Sequence, residues 1–102
     1  MTNRIDKNIA ELIAFPPVTW FTKPVGWLLE QETFAENYKN IPLQKELVQD
    51  LFQNGIEAPI LVMPNWYPIC GSQRLRACAE IAQEFMGLHP ILKQQVRVCR
   101  FD

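Results

Sequence analysis

Two stretches of the chain repeat apolar residues at helical spacing, and each runs into a glycine. From Pro42 to Asn54, the residues Leu43, Leu47, Val48, Leu51 and Phe52 make one stripe on a helix surface. Pro42 suits the first turn, where its missing N–H has no helical partner to lose. Gly55-Ile56 reads as a Schellman stop, with the glycine left-handed and Ile56 folding back. From Ser72 to Met86, the stripe is Leu75, Cys78, Ala79, Ala82, Phe85 and Met86, and its small members allow close packing on a sheet. Gly87-Leu88 repeats the stop. A shorter stripe, Ile9, Leu12 and Ile13, predicts a helix over Asp6–Ala14 with Asp6 as N-cap and Pro16-Pro17 as its end.

Other stretches carry strand patterns. Val18-Thr19-Trp20-Phe21 has β-branched and aromatic content, broken at Lys23-Pro24-Val25-Gly26. Trp27-Leu28-Leu29 is a small apolar anchor before a polar stretch, Glu30–Asn40, that reads as a helical turn plus loop. Ile60-Leu61-Val62-Met63 is continuously apolar, the pattern of a strand buried on both faces. Pro64-Asn65 is a turn, and its proline disfavours the tight primed hairpins, so a connection of three residues or more is expected. Trp66 to Cys70 follows as a strand that Pro68 confines to an edge or to irregular pairing. Alternation sends Trp66 and Tyr67 to opposite faces, one into the core and one outward. An outward aromatic beside an open edge would seat a protein partner or a second copy. Val96 to Phe101 reads as the last strand. The sum is an α+β domain over residues 1–102, a small mixed sheet packed by the two strong helices.

Composition narrows the function classes. No apolar run approaches the roughly 20 residues of a membrane span, and Met1 to Lys7 lacks the apolar core of a secretory signal, so the expected location is cytoplasmic. The formal net charge is −1, which leaves DNA binding weak or indirect unless Arg74, Arg76, Lys93, Arg97 and Arg100 gather on one face. The three cysteines include no CxxC and His89 is the sole histidine, so a four-ligand zinc site is not expected and buried reduced thiols are. His89, before Pro90, reads as a loop residue remote from any motif, which excludes a Ser/His/Asp set. Glu30, Glu32, Glu36 and Asp50 offer carboxylates, but nothing fixes two of them together as a metal-dependent nuclease requires.

The chemistry concentrates in Ile69-Cys70-Gly71-Ser72-Gln73-Arg74-Leu75-Arg76-Ala77, where a strand turns into a helix. A helix opening leaves backbone N–H groups unpaired and carries partial positive charge. Gly71 lets a phosphate approach the backbone, Arg74 or Arg76 offers a guanidinium fork, and Ser72 and Gln73 add polar side chains. Ser72 suits an N-cap as well. Cations in a first helical turn oppose the dipole, and a bound anion would account for two of them. Cys70, next to that opening, reads as a buried thiol, with a lowered-pKa thiol as the alternative.

Gly71-Ser72-Gln73-Arg74-Leu75-Arg76-Ala77 resembles the Gly-Glu-Arg-Arg-Tyr-Arg-Ala signature of ParB N-terminal domains, in the ParB/sulfiredoxin superfamily. Gly55-Ile56-Glu57-Ala58-Pro59-Ile60-Leu61-Val62 looks like the Gly-x-x-x-Pro-Ile-x-Val segment that precedes it. The resemblance spans Trp27 to Phe101 and leaves residues 1–26 as an N-terminal extension. It implies a nucleotide- or phosphate-binding corner at Gly71, Ser72, Gln73, Arg74 and Arg76, with Lys39 as an additional contact. The implied ligand is a nucleoside triphosphate with Mg2+, the implied activity its slow hydrolysis, and the implied setting a DNA-related one in a plasmid, phage or bacterium. Ser72 and Gln73 stand where sulfiredoxins carry Cys and His, which removes sulfiredoxin chemistry. Two alternatives stay open: a non-enzymatic protein-interaction module that kept the fold, and a DNA-binding regulator or nuclease-like protein.

Overall fold

Alternation along the last strand organises the molecule, because Val96 and Val98 fall on one face while Gln95 and Arg97 fall on the other. The computed structural model describes residues 18–102. Its elements in chain order are β1 (Val18–Pro24), α1 (Val25–Leu29), α2 (Glu32–Asn37), a 3-10 turn (Tyr38–Asn40), α3 (Lys45–Asn54), β2 (Ile60–Val62), β3 (Pro68–Cys70), α4 (Ser72–Glu84), a second 3-10 turn (Pro90–Lys93) and β4 (Gln95–Phe101). The helix expected over Asp6–Ala14 lies outside the described residues. The strands form a four-stranded sheet in the order β1-β4-β2-β3. β4 pairs antiparallel with β1 and parallel with β2, and β2 pairs antiparallel with β3. The fold is the expected α+β domain with a mixed sheet.

One sheet face carries Phe21, Val96, Val98, Ile60 and Val62, and the helices pack there. Leu28 of α1, Phe34 of α2, Leu51 of α3, and Leu75, Cys78 and Ile81 of α4 are fully buried against it or one another. The other face presents Trp20, Thr22, Gln95 and Arg97 as exposed side chains. No helix among the described residues is long and apolar enough to cross a membrane.

Several boundaries differ from the pattern reading. α3 begins at Lys45, with Gln44 as N-cap, so Pro42 lies before the helix; Phe52 is an exposed member of its stripe. Gly55 has φ +68° and ψ −166°, an extended conformation of positive φ instead of a Schellman turn. Ile56 is buried as expected, and the Gln94 side chain pairs its backbone. α4 ends at Glu84, so Phe85 and Met86 leave the stripe and are exposed, while Ala77 and Ile81 join it. There a Schellman motif does form, Gly87 N–H donating to Ala82 O at 2.8 Å and Met86 N–H to Gln83 O at 3.4 Å. Met86 takes the left-handed conformation (φ +53°), and Leu88, 84% exposed, does not fold back.

The β2–β3 connection runs from Met63 to Tyr67, as long as the proline turn required. Trp66 N–H donates to Met63 O, Met63 N–H to Tyr67 O, and Tyr67 N–H to Asn65 Oδ1. Trp66 has φ +70°, so it belongs to the turn and the alternation argument does not reach it. The expected split between a core and an outward aromatic is therefore corrected. Both rings are half-buried: Trp66 meets Phe21 and Trp27 edge-on with centroids 5.0 and 4.8 Å away, and Tyr67 lies 6.5 Å from Phe34. The outward apolar residues of this region are Met63 and Ile69.

Candidate functional site

Gly71 joins β3 to α4, and its surroundings leave room for nothing larger. Its φ is +95°, a region L side chains rarely adopt, and a Cβ there would lie 2.5 Å from Cδ1 of buried Ile60. Gly71 is itself the N-cap of α4, so no side chain caps the helix. Ser72 is the first helical residue, which corrects its assignment as the cap. The N–H of Leu75 donates to Gly71 O at 3.1 Å. Among the described residues the N–H groups of Ser72, Gln73 and Arg74 find no protein acceptor.

These groups open on a cleft of about 320 Å³ lined by Gln44, Leu47, Gly71, Ser72, Gln73 and Arg74. α3 supplies one wall and the α4 opening the other. Among the described residues no carboxylate is in the lining, and no acidic residue is in the first turn of α4. The field of the cleft is that of a helix N-terminus reinforced by a guanidinium, which favours an anion.

The two arginines do different work. Arg74 turns to the loop before β2, donating from Nη1 to Ala58 O at 3.0 Å and from Nη2 to Pro59 O at 3.4 Å. A guanidinium has five N–H donors, so Arg74 keeps others for the cleft it lines. Arg76 is two residues further along α4 and faces elsewhere. Its Nε donates to Ile41 O at 3.2 Å, its Nη1 meets Glu80 Oε2 at 3.3 Å, and its guanidinium lies 5.2 Å from the centre of the Tyr38 ring. That network ties α4 to the first 3-10 turn, and Arg76 is not in the cleft lining. Lys39 is exposed on the same 3-10 turn and is likewise outside the lining.

The basic residues do not gather on one face. Arg97 lies 4.5 Å over the Trp20 ring on the open sheet face, whereas Arg100 lies 5.0 Å over Phe21 and Trp66 on the packed face and pairs with Asp102. The thiols divide too. Cys70, expected to be buried, is exposed at the end of edge strand β3, while Cys78 and Cys99 are buried. Burial pushes the Cys78 thiol up to about 12, and the nearby Arg74 charge offsets this only in part. His89 caps the second 3-10 turn, its Nδ1 accepting from Ile91 N–H at 3.1 Å. Among the described residues no group of three or more His, Cys, Asp or Glu side chains is placed to hold a metal ion.

Sequence reasoning named four of the six cleft residues. Leu47 reads as a member of an apolar stripe, and Gln44 carries no signal of its own; both reach the cleft through the packing of α3 on α4. No protein-family model matches this chain, and neither curated proteins nor solved structures contain a match.

Proposed function

We propose that the corner between β3 and α4 binds the phosphate of a nucleotide or of another phosphorylated small molecule. The observation that carries this reading is the uncapped N-terminus of α4. Among the described residues, three backbone N–H groups have no protein acceptor and open on a cleft that holds Arg74 and no carboxylate. The resemblance of Gly71–Ala77 to the ParB signature supports a nucleotide as the ligand class, and the DNA-related setting follows from that resemblance alone. The binding set is Gly71, Ser72, Gln73 and Arg74. Arg76 instead ties α4 to the first 3-10 turn, and Lys39 is exposed outside the cleft lining.

The test is thermal unfolding with nucleoside mono-, di- and triphosphates and with inorganic phosphate, each with and without Mg2+. A ligand that binds only the folded state at about 100 times its Kd stabilises by about 2.7 kcal/mol, a shift of several degrees or more in a domain this size. Arg74→Ala also frees the Ala58 and Pro59 carbonyls, so its own stability falls and it is a poor discriminator. Gln73→Glu is better: Gln73 is exposed in the first turn, where a carboxylate favours the helix yet repels an anion. The expected result is an unchanged or slightly higher melting temperature without ligand and loss of the ligand shift. Equal shifts in wild type and Gln73→Glu would move the ligand elsewhere.

An interaction module draws on a different observation. Phe52 meets Phe85 and His89 edge-on in an aromatic cluster, and Met86 and Leu88, next to it in sequence, are 88% and 84% exposed. Absence of a shift with any phosphate compound would favour that reading.

A further inference from the structure

We infer, resting on the phosphate-binding reading of the β3–α4 corner, that its ligand is a nucleoside monophosphate whose ring lies on the α3 wall of the cleft. Charge limits the number of phosphates, and the α3 wall selects what they are attached to.

α3 and α4 lie side by side and run the same way. Gln44 and Leu47, at the start of α3, share the cleft with the residues that open α4. Near the far ends of the two helices, Phe52 and Phe85 meet with ring centres 5.4 Å apart. The first turn of α3 therefore stands across the cleft from the uncapped N–H groups of α4.

The positive charge there suits one phosphate. Arg74 is the one cation in the lining among the described residues, and it adds a full charge to the roughly +0.5 of the α4 opening. α3 contributes little, because Glu46 in its first turn answers its dipole. A phosphate monoester carries about −1.5 to −2 at neutral pH, close to that sum. Each further phosphate brings negative charge that neither wall meets.

The α3 wall is uncharged and offers two kinds of contact. Leu47 is half-buried and supplies an apolar side chain. Gln44 is exposed, and although it is the N-cap of α3 its side chain makes no capping bond. Its amide thus keeps donors and an acceptor for a ligand. A flat ring laid on Leu47 with its polar edge toward Gln44 satisfies both, and a paired donor and acceptor matches the edge of a nucleobase. At about 320 Å³ the cleft is at the small end of the range for ligand sites. That size suits one phosphate and a ring system.

Titration calorimetry of the full chain tests this, with inorganic phosphate, the four ribonucleoside monophosphates and their triphosphates, each with and without Mg2+. At least one monophosphate is expected to bind about tenfold tighter than inorganic phosphate, through the added ring contacts. It should bind no more weakly than its own triphosphate, and equally with and without Mg2+. Gln44→Ala removes an exposed side chain that caps nothing, so the melting temperature should hold. It should weaken the monophosphate about fivefold and leave inorganic phosphate unaffected. A triphosphate that binds tighter than every monophosphate overturns the inference while leaving the phosphate corner in place. So does a Gln44→Ala variant that binds the monophosphate as the wild type does, or that loses inorganic phosphate to the same extent. If none of these compounds binds, or if Gln73→Glu binds them as well as the wild type, the phosphate reading itself fails and this inference with it.

Discussion

Gly55 and Gln94 are fitted to one another: a methyl group on Gly55 would lie 2.7 Å from Oε1 of Gln94. That oxygen accepts the Ile56 N–H at 2.9 Å, and the Gln94 Nε2 donates to the Ile56 carbonyl at 2.7 Å. A side-chain amide thus pairs both backbone groups of Ile56, as a neighbouring strand would. It does so just before β2, where the chain leaves α3 and no strand is yet beside it.

Removing either member should be costly. Gln94→Ala orphans an N–H and a C=O in a partly buried place, a loss of about 2–3 kcal/mol. Gly55→Ala meets both the positive φ and the Gln94 oxygen, for about 2–4 kcal/mol. In the double variant the clash has no partner, so the combined loss should fall short of the sum by about 1 kcal/mol. Urea unfolding of the three variants measures that shortfall; strict additivity would mean the two sites do not communicate.

Glycine substitutions separate conformational strain from lack of space. Gly87 has φ +76° with open space where a Cβ would stand, so Gly87→Ala should cost only the left-handed penalty, about 1–2 kcal/mol. Gly71 adds the buried Ile60 side chain 2.5 Å away and the Arg74 guanidinium 3.0 Å away. Gly71→Ala should be clearly more destabilising and should also abolish phosphate-dependent stabilisation. Denaturant midpoints of the two variants rank them directly.

The elements were largely legible because their causes are local. The Leu47, Leu51 and Leu75, Cys78 spacings, the apolar run at Ile60–Val62 and the edge position of Pro68 each follow from sequence neighbours. What was illegible depends on distant partners. Nothing near Gln94 announces that its amide completes the backbone of a residue 38 positions earlier. Nothing near Arg76 announces Ile41 O, which drew that side chain out of the cleft. Trp66 failed for a related reason. A bulky residue at positive φ is rare enough that periodicity treats it as strand, and its place follows from distant partners, the Phe21 and Trp27 rings and the Arg100 guanidinium.

Trp66 gives a reversed ranking as a prediction. Trp66→Ala and Trp66→Gly both lose the ring that packs on Phe21 and Trp27, at a cost near the low end of the 3–5 kcal/mol for a large aromatic, about 3 kcal/mol. In an ordinary strand glycine would be the worse replacement. Here φ is +70°, which glycine adopts without strain, so Trp66→Gly should be the more stable variant by about 1 kcal/mol. Thermal unfolding of the pair decides it, and the usual order would show that the turn relaxes once the ring is gone.

The thiols supply a test of burial and of its pH dependence together. Cys70 is exposed, so one thiol should react with a disulfide reagent in the native protein, and Cys70→Ser should remove that reaction. Cys78 and Cys99 should react only on unfolding. For Cys78 burial raises the thiol from 9.0 to about 12, because the thiolate would sit among apolar side chains. The sign follows from proton counting. Below about pH 9 the thiol is protonated in both states and its effect on stability is constant. Between 9 and about 12 the unfolded chain releases the proton while the folded one keeps it, so unfolding gains and stability falls as pH rises. The loss attributable to this group approaches about 4 kcal/mol at full titration. Cys78→Ala should be less stable at neutral pH through the cavity it leaves, yet lose less on going to alkaline pH. Parallel stability–pH curves for Cys78→Ala and wild type above pH 9 would assign the alkaline loss to other groups.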